Sequence, residues 1–75
     1  MSDDEFEQRI EALFGRNLAT ARVRAGLSQL ELATRAGITV DILVQIELGT
    51  KDPDLYTVSR LAAAVGWTAS DLLAR

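Results

Sequence analysis

Residues 29–48 read QLELATRAGITVDILVQIEL, and within them Gln29, Ala33, Gly37, Leu43 and Ile46 fall at relative positions 1, 5, 9, 15 and 18. That spacing fits two short helices packed across a tight turn. Ala33 is small enough to let the helices approach, Gly37 takes the left-handed turn conformation without a Cβ penalty, and Leu43 and Ile46 tuck the second helix against the first. A competing pattern runs through the same stretch. From Ile38 to Leu48 apolar side chains occupy every even position and several are β-branched, which by period alone describes a strand. Gly37 and Gly49 bound the segment at helical length, and no similar segment elsewhere offers a pairing strand, so a helix over 40–48 is expected.

The same punctuation continues outward. Gly26, Gly37, Gly49 and Gly66 each close a segment of helical length, and Leu27, Ile38 and Trp67 follow three of them, the pattern of helix C-caps. The openings agree: Ser28 with Glu31 forms S-x-x-E, Thr39 can cap the next helix, Asp54 follows Pro53, and Thr68 with Asp71 makes a weaker capping box. Five helices are therefore expected, at 4–25, 29–36, 40–48, 55–65 and 69–74, in an all-α chain. In the first, Phe6, Ile10, Leu13, Phe14, Leu18 and Ala21 recur at spacings of three and four as a stripe for burial. Gly15 is its weak point, where residues 3–13 can separate or kink away from one continuous rod. Residues 49–53 are the clear irregular stretch.

With 75 residues, the chain supports one small domain, which buries roughly 60% of its unfolded surface and leaves room for a partner to add core. There is no cysteine and no histidine, which removes disulfides, zinc fingers, thiol nucleophiles and imidazole bases. No catalytic, metal or cofactor site is expected, because no paired acid and base stands at plausible spacing in an apolar cleft. The apolar segments are short and broken by charge, and the N-terminus lacks a signal-peptide layout, so a cytoplasmic protein with no membrane contact is expected. Net charge is −3, but residues 1–11 hold Asp3, Asp4, Glu5, Glu7 and Glu11 against Arg9 alone, giving 1 − 5 = −4. The remaining seven cations and six acids leave a body near +1, which can bind a polyanion where its cations cluster, with salt-sensitive affinity.

Taken over residues 14–73, the pattern runs Phe14-Gly15, Leu18, Gly26-Leu27-Ser28-Gln29, Leu32-Ala33, Ala36-Gly37-Ile38, Leu43, Ile46-Glu47, Gly49, Pro53, Leu55, Leu61-Ala62, Ala64-Val65-Gly66 and Leu72-Leu73. It resembles the phage-repressor, Cro/CI-type (XRE) helix-turn-helix family. The resemblance implies a compact five-helix, lambda-repressor-like DNA-binding domain over 14–75, preceded by an acidic helical extension, 1–13. Its expected activity is sequence-specific regulation of transcription, as a repressor or controller, by a homodimer on operator DNA with helix 40–48 in the major groove.

Carried onto this chain, the resemblance makes Gln29 a contact to phosphate and an adjacent base, and sets Thr39, Val40, Asp41, Val44 and Gln45 toward base edges. Gln45 can read adenine, Thr39 can hold a phosphate, and Val40 or Val44 can touch a thymine methyl. Arg22 and Glu47 resemble the family's buried ion pair, which fixes the angle of the recognition helix. Thr50, Lys51 and the backbone amides near Leu55 and Tyr56 resemble a phosphate clamp, diluted by Asp52 and Asp54. Trp67, Leu72 and Leu73 are expected at a dimer interface. The departures gather on one rim: Leu30 replaces a usual polar residue, and Val23, Val40, Val44 and Leu48 add apolar surface. A second reading is therefore a degenerate domain that binds protein through Leu30, Val40, Val44 and Leu48; a third has residues 1–13 lying near that face.

Overall fold

The computed structural model describes residues 2–74. It contains α1 (Asp3–Arg24), α2 (Gln29–Ala36), α3 (Val40–Glu47), α4 (Leu55–Val65) and α5 (Ala69–Ala74), with no strand among the described residues. Each helix begins on a side-chain oxygen that accepts a first-turn N–H. Ser2 Oγ takes the amide of Glu5, Thr39 Oγ1 that of Ile42, Asp54 Oδ1 that of Thr57 and Thr68 Oγ1 that of Asp71, at 2.7–3.2 Å. Ser28 and Glu31 close a full capping box, each side chain accepting from the other's backbone at 3.0 and 2.9 Å. At the ends, the N–H two positions past the last helical turn reaches back: Leu27 to Arg22 O, Ile38 to Ala33 O, Thr50 to Gln45 O and Trp67 to Ala62 O, at 3.0–3.1 Å. Between α2 and α3 this closure needs φ +71° at Gly37, a conformation in which a side chain would be strained.

One consequence of the caps is pH-dependent. The Ser28 backbone N–H, with the Ser28 side chain adding to it, holds the Glu31 carboxyl below its ordinary 4.5, and Thr57 does the same to Asp54 relative to 3.8. A carboxyl depressed on folding stabilises the fold above its unfolded value, and that contribution fades as pH falls through the folded value. Glu31→Gln, neutral at every pH, is expected to flatten the fall in thermal midpoint between about pH 5 and pH 3 relative to wild type. An identical acid profile for the two proteins would contradict this.

The alternating pattern of residues 38–48 resolves as two helical rows laid side by side. Leu43 and Ile46 point into the core, while Val40, Val44 and Leu48, spaced by four, run along the other side and leave Val40 and Leu48 exposed. Around Leu43 and Ile46 gather Phe14, Leu18 and Ala21 of α1, Leu32, Ala33 and Ala36 of α2, Val58, Leu61, Ala62 and Val65 of α4, and Leu72 of α5. Each fully buried Leu or Ile here contributes roughly 1.5–3 kcal/mol. α2 packs on α3 and α4, and α1 spans the domain, touching α3, α4 and α5. Buried Asn17 ties α1 to α5 by donating from Nδ2 to the Leu72 carbonyl at 2.8 Å.

Two expectations about α1 change. It runs unbroken through Gly15, and that glycine sits against the last turn of α3: a Cβ there would run into the Ile46 carbonyl oxygen and lie 2.7 Å from that of Glu47. The buried stripe begins only at Phe14, whereas Phe6 and Ile10 are exposed and Leu13 is half-buried. The cause is length. At 1.5 Å per residue α1's 22 residues span about 33 Å, longer than the 23 and 20 Å of the two shorter axes, so its first turns outrun the helices beneath. No helix among the described residues is long and apolar enough to cross a membrane.

Candidate nucleic-acid interface

Three helices meet at one carboxylate. Glu47, from the end of α3, accepts from Arg22 Nε at 2.7 Å on Oε2, and from Arg22 Nη2 at 3.3 Å and Gln29 Nε2 at 3.0 Å on Oε1. Arg22, at the end of α1, also donates from Nη1 to the Leu27 carbonyl at 2.9 Å. The side chains of Arg22 and Glu47 are only 15% and 6% exposed, so the fork is largely shielded from water and its two-point geometry fixes direction as well as distance. The result sets the angle of α3 against α1 and the start of α2. Gln29 is thus half-buried and held, with its nitrogen toward Glu47, since only the amide nitrogen can donate to a carboxylate. Its second N–H remains for an outside acceptor.

The outer side of α3 is bordered by several of the expected residues. Thr39, Val40, Asp41 and Gln45 are exposed, as is Leu48, while Val44 is half-buried. Thr39 accepts the Ile42 amide and keeps its own hydroxyl proton to donate. Thr50 does not: its hydroxyl donates to the Gln45 carbonyl at 3.2 Å, and its backbone N–H goes to the same oxygen at 3.0 Å. With both bonds Thr50 closes the end of α3 in the free chain. Lys51 is exposed, and the first-turn amides of Leu55 and Tyr56 have no partner within α4. Asp54, kept charged by the Thr57 amide, stands beside them as the N-cap.

The expected dimer residues separate. Leu72 is fully buried within the single chain, so its side chain cannot meet a second copy; helix phase turns it inward and its neighbour Leu73 outward. Trp67 is half-buried against the core. Arg60 is a residue that the sequence did not single out. Its guanidinium stacks over the Tyr56 ring, 5.3 Å from the centroid, and reaches the turn between α2 and α3, where a Cβ on Gly37 would collide with it. No local signal marks a contact between positions 37 and 60. Of the apolar rim, Leu30 and Leu48 are 64% and 70% exposed and Val23 and Val40 are exposed too, whereas Val44 is half-buried.

Known proteins are similar to this chain in sequence and fold. An uncharacterized HTH-type transcriptional regulator of Haemophilus influenzae is 33% identical over 64 residues, 85% of this chain; the chain spans 65% of that relative's length. Among solved structures, a hypothetical transcription factor from Neisseria superposes with a TM-score of 0.82 at 33% identity, covering 89% of this chain and 77% of that one. A restriction-modification controller protein from Aeromonas hydrophila gives 0.80 at 29% identity, covering 83% and 94%. The helix-turn-helix family model HTH_3 matches residues 18–72, which takes in the α2–α3 pair and the carboxylate that braces it. The chain belongs to the HTH_3 (XRE-type) helix-turn-helix family.

Proposed function

We propose that this chain is a sequence-specific DNA-binding regulator of transcription, a repressor or controller, working in the cytoplasm as a homodimer with α3 in the major groove. The observation that carries this reading is the brace of Arg22, Gln29 and Glu47, which ties α3 to α1 and α2 while Thr39, Val40, Asp41 and Gln45 stay exposed on its outer side. Gln45 supplies paired donor and acceptor for adenine, Val40 and Val44 suit thymine methyls, and Thr39, the spare N–H of Gln29 and Lys51 suit phosphates. A two-fold pair reads half-sites about 34 Å apart. The near-neutral body makes nonspecific attraction weak, so choice of site rests on these few contacts.

Selection from a pool of random duplexes tests this directly. It is expected to yield one palindromic site, bound more weakly as salt rises. Lys51→Ala should weaken binding evenly across sequences and reduce the salt slope by about 1, whereas Gln45→Ala should relax choice at one position at an expense of about 1–3 kcal/mol. No preference for any duplex at low salt would end the proposal. The exposure of Leu30 and Leu48 favours one alternative, a protein partner seated on this face. In that case Val44→Glu abolishes partner binding while Lys51→Ala leaves it intact.

A further inference from the structure

Beyond the core, α1 continues over a groove. Phe6 and Ile10, 57% and 41% exposed, form a row with Phe14 at spacings of four. Opposite Ile10 and Phe14 stand Pro53, Leu55 and Leu73, of which Leu55 is 77% exposed. The charged residues lining this groove are all acidic: Glu7 and Glu11 from α1, and Asp52 from the loop between α3 and α4. An apolar floor inside a rim of one sign selects an occupant of the opposite sign.

We propose that this groove docks a basic amphipathic helix of a partner protein. Its apolar row would lie between Phe6 and Leu55, with lysine or arginine on its flanks pairing with Glu7, Glu11 and Asp52, the helix-in-groove mode of recognition. From Phe6 to Phe14 is eight residues, about 12 Å of helix, so two to three turns of partner fill it. A second copy of this chain fits poorly. Two-fold pairing through the groove presents the same patch on both sides and would bring one acidic rim against another in a setting short of water. The groove also borders the proposed phosphate clamp, since Leu55 lines the one with its side chain and begins α4, whose amides form the other. A partner held here would sit beside bound DNA, yet docking itself needs no DNA and is measured without it.

The test uses the full chain and a fluorescent helical peptide built from leucine and lysine with leucines at spacings of three and four, against a control with glutamate in place of lysine. The lysine peptide is expected to bind at least about tenfold more tightly than the control. Glu11→Lys and Phe6→Ser should each weaken it by about tenfold, while Asp41→Lys, the same change of charge on α3, should leave it within about twofold. Phe6 lies outside the core, so the thermal midpoint of Phe6→Ser should stay near wild type. Equal binding of the two peptides, or equal loss from Glu11→Lys and Asp41→Lys, would overturn the proposal. So would sedimentation in which Phe6→Ser turns a dimer into a monomer while the peptide fails to bind, because a second copy would then hold the groove.

Discussion

Gly15→Ala is expected to lower stability by about 2–3 kcal/mol, even though it removes a glycine from the middle of a helix. In an exposed helix the change would gain roughly 1 kcal/mol from propensity alone. Here the new methyl meets two backbone carbonyls of the last turn of α3, Ile46 and Glu47, and neither can rotate away as a side chain would. α1 and α3 must part, which loosens Phe14 and Leu18 against Leu43 and Ile46 and tilts the helix bearing the outer face. For a domain of this size the thermal midpoint should fall by about 10–20 °C. Gly26→Ala gives the scale: its φ is +75° but the space around it is open, so only the backbone strain of about 1–2 kcal/mol applies. If Gly15→Ala melts at or above wild type, the two helices do not approach as closely as described.

Glu47→Ala should be comparably damaging, by about 3 kcal/mol, for a different reason. It leaves the Arg22 guanidinium shielded from water with one remaining acceptor, the Leu27 carbonyl, and frees the amide of Gln29. Breaking such a pair costs more than the pair itself contributes, so replacing both ends together, Arg22→Met with Glu47→Leu, should recover most of the loss. Under the DNA-binding proposal the recovery will be partial in a telling way. Urea unfolding of the double variant should approach wild type while its affinity for the selected duplex stays low, since apolar packing restores cohesion without the two-point fork that sets the angle of α3. Full return of both properties would show that the fork has no part in orientation.

Helix limits were legible in the sequence because the signals are local. Ser28 with Glu31, Asp54 with Thr57 and the glycine closures each act within six residues, so composition and spacing suffice to place them. The ion pair between Arg22 and Glu47 was visible only through family resemblance, as 25 residues separate its ends. What escaped was whatever depends on the opposite wall. Gly15 read as a defect because nothing in its own neighbourhood reveals that α3 lies against it. Leu72 and Leu73 are chemically identical neighbours, and six residues of α5 are too few to fix which faces inward. Phe6 and Ile10 continue an apolar row correctly, but periodicity carries no information about where the supporting helices end. The bond of the exposed Thr50 hydroxyl to the Gln45 carbonyl depends on how the chain leaves α3, which composition alone does not reveal.

The bond from Asn17 to the Leu72 carbonyl joins positions 55 apart, from the first helix to the last. α1 is otherwise held by contacts of intermediate and long range, to Glu47 through Arg22 and to α3 and α4 through the core, so the last helix closes a wall that is already non-local. Contacts absent from the transition state govern escape from the native state far more than arrival at it. A tie between the two ends of the chain that forms late in folding would slow escape from the native state at the seam where α5 meets α1, remote from the surface proposed to read DNA.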